Sequence, residues 1–233
     1  MRIVIAAQHH YHHPFLPTVS VSLARITMTT KNNSISRSWW WKILAIVMLV
    51  YTFIMGFLGP VPAMPIINES IRNLYFHVTM WMAMITLMFV NVIYSIKYLS
   101  SGKLYHDLVG EESARMAMVF ASAGLITGMI WANFTWGAPW VNDPQLNGTA
   151  ATMLIYAAYF ILRNAITDEI KRARIGSVYG IFAFVMMFVF IMILPRLTDS
   201  LHPGNGGNPA FGKYDLDSNM RMVFYPAVIG WVL

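Results

Sequence analysis

Residues 39–59 read WWWKILAIVMLVYTFIMGFLG, a run with one basic side chain, Lys42, and no acid. A hydrocarbon core of about 30 Å takes roughly 20 apolar residues in a helix. Trp39–Gly59 therefore reads as a membrane span. The unbroken apolar run has none of the two-residue alternation of a membrane barrel strand, so the span is helical. The same reading extends outward to Leu74–Ile96, Met116–Phe134 and Ile175–Leu194. Leu146–Leu162 is shorter and opens with polar residues, yet its run MLIYAAYFIL also reads as a span. A sixth stretch, Met222–Leu233, would reach only about 18 Å as a helix and reads as a span truncated at the C-terminus. The expected fold is an all-α integral membrane protein, a bundle of six transmembrane helices.

Composition agrees. Of 233 residues, 57% are hydrophobic and 11% charged, against about a quarter charged in soluble domains. That excludes a free globular protein, and the aromatic load excludes a disordered one. The net charge of +6 comes from 16 Lys and Arg against 10 Asp and Glu, and in a membrane chain it reports topology before it suggests nucleic acid. With no Cys there are no disulfides, thiolate nucleophiles or Cys-bound clusters, which leaves His as the strong metal ligand.

Lys and Arg set the orientation. Twelve (Arg2, Arg25, Lys31, Arg37, Lys42, Lys97, Lys103, Arg115, Arg163, Lys171, Arg172 and Arg174) fall on one side, and four (Arg72, Arg196, Lys213 and Arg221) on the other. By the positive-inside rule the N-terminus is cytoplasmic. Residues 1–38 read as a disordered cytoplasmic leader despite His9, His10, His12 and His13, and Trp39–Trp41 as an aromatic anchor at the inner interface. The loops Pro60–Asn73, Thr135–Thr149 and Pro195–Asn219 then lie outside, which in a bacterium is the periplasmic face.

The middle outer loop, residues 133–146, reads NFTWGAPWVNDPQL. It sets Trp136 and Trp140 four apart, with Gly137, Pro139, Pro144 and one acid, Asp143. Two indoles at an interface can be an aromatic belt. On a short, proline-stiffened loop they can equally be a shelf on which a flat apolar ligand stacks. The residues alone leave both open. Asp143 can cap the following helix or hydrogen-bond an imidazole or loop amide. His77 sits within a turn of the outer end of the second span and His202 just beyond the fifth, on the same face. A lone interfacial His is ordinarily just hydrogen-bonded. Two beside an aromatic shelf point to a metal or metalloporphyrin ligand pair. His106, among Asp107, Glu111 and Glu112, reads as solvated. The methionines fill gaps within spans, and residues 204–209 form a flexible outer loop.

The segment Trp136-Gly-Ala-Pro-Trp140-Val-Asn-Asp143 resembles the tryptophan-rich WWD signature of haem-handling proteins. Together with Leu-Tyr-Phe-His77-Val and Ser-Leu-His202-Pro, in that order from about Trp39 onward, it resembles cytochrome c maturation protein C, the haem exporter protein C family. Asn142 departs from it, standing where an aromatic residue is common, and Gln145 and Asn147 also differ. The resemblance implies a haem-handling membrane domain over residues 39–233 that presents haem b, transiently bound, at the periplasmic face of the bacterial inner membrane. It implies His77 and His202 as axial iron ligands, and a cradle of Trp136, Gly137, Trp140 and Asp143. Gly137 would let the backbone approach the ring. It further implies hand-over to the haem chaperone CcmE, with the ABC transporter subunits CcmA and CcmB and the small protein CcmD as partners. No catalytic turnover and no nucleic acid is expected. Arg72 and Arg196 are candidates for the propionates or for snorkelling side chains. Competing readings are a cytochrome b-like electron-transfer subunit with permanently bound haem, a small-solute transporter and a purely structural membrane subunit. His202 beside Pro203 and the lack of an evident inverted repeat speak against the first two.

Overall fold

A computed structural model describes residues 39–64, 67–202 and 216–233. The leader, Lys213 and the loop at 204–209 lie outside the described residues. Among these residues the long elements are all α-helical: α1 (Trp39–Leu58), α2 (Leu74–Ser101), α3 (Leu104–Trp136), α4 (Pro144–Ala165), α5 (Glu169–Met187) and α6 (Ser218–Val232). A 3₁₀ segment, Asn68–Asn73, leads into α2. A π-helical turn, Phe188–Ile193, and a last short turn, Leu194–Leu197, extend α5.

Four of these stretches are long and apolar enough to cross a membrane: Trp39–Leu58, Asn68–Ser101, Leu104–Trp136 and Glu169–Leu197. The chain is a multi-pass helical membrane protein. Helix α4 has the length, at 22 residues, but carries Asn147, Thr149 and Thr152 in its first half. Helix α6 has 15 residues and so rises only about 22 Å.

Local chemistry sets the boundaries. Helix α2 stops at Gly102 and α3 at Gly137, both in the left-handed region with φ of 67° and 79°, where a Cβ is disfavoured. Asp143 and Asp168 accept backbone amides at the starts of α4 and α5, and Pro144 occupies the first position of α4. Helix α2 is the hub, packing on α3, α5 and α6. One core cluster joins Ile71, Leu74 and Tyr75 to Met220, Val223 and Phe224. A second joins Met84 and Met88 to Ala117, Ala121, Tyr156, Ala183 and Met187. Small residues on α3 and α5 let these helices close on the methionines. Helix α1 leaves Ile46, Val50, Phe53 and Ile54 exposed, as expected of a surface that meets lipid rather than water.

The helix that carries the third span runs further inward than its apolar stretch. The helix begins at Leu104, not Met116, and takes in Asp107, Glu111, Glu112 and Arg115. These charges stay helical because they are paired. Arg163, 1% exposed, donates to both Asp107 oxygens at 2.7 and 2.8 Å and to Glu111 at 2.6 Å. Its guanidinium packs so closely on α5 that a Cβ at Gly176 would collide with it. His106, expected to be solvated, is instead half-buried between the rings of Tyr94 and Tyr105, with centroids 5.8 Å away in each case. Arg163→Ala strands the buried Asp107 carboxylate without its cation and leaves Glu111 to Arg115 alone, which costs about 3–5 kcal/mol. The expected result is a clear fall in the thermal unfolding temperature of the detergent-purified protein.

Candidate functional site

The residues singled out from the sequence come from four elements. His77 lies in the first turns of α2, Trp136 and Gly137 end α3, Asp143 starts α4, and His202 follows the extension of α5.

His77 is fixed from α3. Its Nδ1–H donates to the Gly124 carbonyl at 2.8 Å. The Thr127 hydroxyl lies within hydrogen-bond reach of the Ala123 and Gly124 carbonyls, at 2.9 and 3.0 Å, and stands 3.4 Å from Nδ1. Trp81 and Trp131 meet the imidazole edge-on, at centroid distances of 6.1 and 6.0 Å. Gly124 and Gly128, four apart on α3, make room for this arrangement. A Cβ at Gly128 would sit 2.6 Å from His77 Cε1, and one at Gly124 2.9 Å from Trp81. This is the small-residue pattern that lets membrane helices approach closely. In the sequence it stands as Gly124-Leu-Ile-Thr-Gly128, inside an apolar run that gives no local sign of the histidine it accommodates. Overpacking such a contact costs about 1–3 kcal/mol. In Gly128→Ala the His77 ring is expected to shift, and the thermal unfolding temperature of the detergent-purified protein to fall, at unaltered protein yield.

The approach to this histidine is braced from the 3₁₀ segment. Asn73 Nδ2 donates to the Thr127 carbonyl at 2.9 Å, and Trp131 Nε1 donates to Ser70 Oγ at 3.2 Å. Arg72 does not snorkel. Its Nη1 donates to the Gly56 and Gly59 carbonyls at 3.0 and 2.7 Å, and its Nε to Glu69 at 2.6 Å. It thereby satisfies carbonyls at the end of α1 that have no helical partner. Arg196 donates to the Met192 carbonyl.

His202 is held by Asp143. The carboxylate, 1% exposed, accepts His202 Nδ1–H at 3.0 Å. It also accepts the Ser200 hydroxyl at 2.8 Å and the Leu201 amide at 2.7 Å. At the helix start it accepts the Gln145 and Leu146 amides at 2.9 and 3.3 Å. The sequence offered capping, an imidazole or a loop amide as separate roles for this residue. It performs all three at once. Gly148 lets α4 come this close to the extended α5, since a Cβ there would strike the Phe190 carbonyl of the π turn. Burial pushes the Asp143 carboxyl up, but the Leu201 amide, the Ser200 hydroxyl and His202 together hold it below the ordinary carboxylate range. Burial likewise lowers the His202 imidazole below its ordinary value of 6.5, although the Asp143 charge pulls it the other way. His202 is therefore neutral at neutral pH.

Trp136 packs edge-on against His202, with centroids 5.1 Å apart. Trp131 and Trp136, one at each imidazole, lie on the same last turns of α3. Gly137 supplies the left-handed residue that ends α3, and a Cβ there would meet nothing within 4 Å. Trp140 stands apart and is 39% exposed. Asn142 accepts from Asn147 Nδ2 at 2.8 Å, so two of the departures from the tryptophan-rich signature form one polar clasp.

The chemistry on offer is specific. A carbonyl accepts only, so His77 carries its proton on Nδ1 and its lone pair on Nε2. An ionised carboxylate imposes the same tautomer on His202. Among the described residues no trio of His, Cys, Asp or Glu gathers to chelate a bare ion. Two imidazoles with Nε2 lone pairs and edge-on indoles suit an iron whose equatorial donors arrive with it.

This defines a class: multi-pass helical membrane proteins with a Trp-rich helix end, Trp131 beside one imidazole and Trp136 beside another. The model of the family described as heme exporter protein C matches residues 21–232, and the chain belongs to that family. The chain is also similar to proteins called cytochrome c biogenesis protein CcsA. The protein of Prochlorococcus marinus subsp. pastoris is 32% identical over 104 residues, covering 45% of this chain and 32% of the relative. That of Prochlorococcus marinus strain SARG is 35% identical over 88 residues, covering 38% and 28%. That of Manihot esculenta is 28% identical over 106 residues, covering 42% and 33%. The matches thus span about a third of the length of these relatives. Family and relatives together assign the chain to haem handling in cytochrome c biogenesis.

Proposed function

We propose that the protein binds haem b transiently at the periplasmic face of the bacterial inner membrane, with His77 and His202 as the axial pair, and hands it to the haem chaperone CcmE. The ABC transporter subunits CcmA and CcmB and the small protein CcmD are the proposed partners, and the N-terminus is cytoplasmic. The observation that carries this reading is the matched state of the two imidazoles, each with Nδ1–H engaged and Nε2 left to bind iron. Trp136 beside His202 supplies apolar stacking area, and Trp140, being exposed, is placed to close over a ligand or to meet a partner. Haem is cargo here, not a reagent, so the protein's work is to bind, orient and release.

The test is haem transfer. The detergent-purified chain is loaded with ferric haem, and the haem-free chaperone is then added. Haem moving to the chaperone supports the reading. Stoichiometric haem that does not exchange supports the cytochrome b-like alternative instead. Trp136→Ala removes stacking worth about 1 kcal/mol and is expected to weaken haem retention by about five-fold, measured by haem titration at equal protein.

A further inference from the structure

Resting on the axial assignment above, we infer that the two histidines are unequal ligands: His202 binds iron strongly, His77 weakly, and the difference is set by what each Nδ1–H donates to. His202 donates to a buried carboxylate, Asp143, at 3.0 Å. His77 donates to a neutral peptide carbonyl, Gly124, at 2.8 Å. A carboxylate acceptor draws the imidazole toward imidazolate and raises the basicity of the opposite nitrogen, whereas a carbonyl does so far less.

The frame around each acceptor reinforces the contrast. Asp143 is itself held by Ser200, Leu201, Gln145 and Leu146, so the carboxylate stays ionised and aimed. The Ser200 hydroxyl also accepts the His202 amide at 3.2 Å, which ties the ligand's own backbone to the residue that orients its ring. Asp143 and Ser200 are thus positioning residues for one ligand, and Thr127 and Gly128 for the other. For a protein that must release what it binds, unequal ligands give one bond that opens first, on the α2 side, while the other retains the cargo.

The test uses the full chain in detergent, titrated with ferric haem. His202→Ala is expected to weaken haem binding about ten-fold more than His77→Ala does. With external imidazole filling the vacated position, the His77→Ala protein, which retains His202, is expected to show the lower haem midpoint potential. Asp143→Asn in each background is expected to remove most of that separation. Equal losses and equal potentials, or the reverse order, overturn the inequality while leaving the axial pair standing. Unchanged haem binding in both single variants overturns the axial assignment itself.

Discussion

The variant His77→Ala/His202→Ala is expected to lose haem almost completely, with affinity at least about 100-fold below that of the unaltered chain. Changes in groups that merely support a metal ligand cost about 10–100-fold, and removing both ligands must exceed that. The fold is expected to survive. His77 sits at the α2–α3 contact with one hydrogen bond, to the Gly124 carbonyl inside α3. His202 is still 20% exposed along its side chain. The measurement is haem absorbance at equal protein, together with the yield of c-type cytochromes in cells. Normal cytochrome yield from the double variant would support a purely structural role.

The second large effect is expected from Asp143→Ala. The loss would strand five donors from two stretches of the chain: His202 Nδ1, the Ser200 hydroxyl, and the amides of Leu201, Gln145 and Leu146. Loss of a helix cap costs about 0.5–2 kcal/mol, and each hydrogen bond to a buried charge about 1.5–3 kcal/mol. Partial relaxation makes these less than additive, so the expected total is about 4 kcal/mol. The unfolding temperature and the haem affinity should fall together. Asp143→Asn keeps an oxygen for the cap and is expected to recover most of the stability but not the haem affinity.

The same carboxylate makes stability depend on pH with a definite sign. Its folded value lies below the ordinary 3.8. The stabilisation is therefore fully present above the ordinary carboxylate range and is lost as pH falls through the lowered folded value. Thermal unfolding of the haem-free protein is expected to show this acid loss, and Asp143→Asn is expected to reduce it.

What was legible in the sequence followed from period and length. The apolar runs of α1, α2, α3 and α5 announce themselves because lipid demands about 20 apolar residues in a row. The inner end of α3 was hidden because Asp107 and Glu111 look like loop charges until Arg163, more than fifty positions away, is seen to pair with them. For the same reason His106 reads as solvated in the sequence, since Tyr105 is its neighbour but Tyr94 reaches it from α2. Around the site, His77, His202 and Trp136 stood out by rarity and placement. The Asp143 network did not. A cap acceptor is a local feature, but the Ser200, Leu201 and His202 donors reach it only through the close approach of α4 and the π turn at Gly148. Gly137 has a local reason as well, its φ of 79° at the end of α3, which the sequence alone does not disclose.

The central claim is that two imidazoles distant in the chain bind one iron. Its most direct test is the electron paramagnetic resonance spectrum of the ferric haem-loaded, detergent-purified protein. The account predicts a low-spin signal of two axial imidazoles, converted to a high-spin signal by His77→Ala and by His202→Ala alike. A low-spin spectrum that neither substitution alters would contradict it.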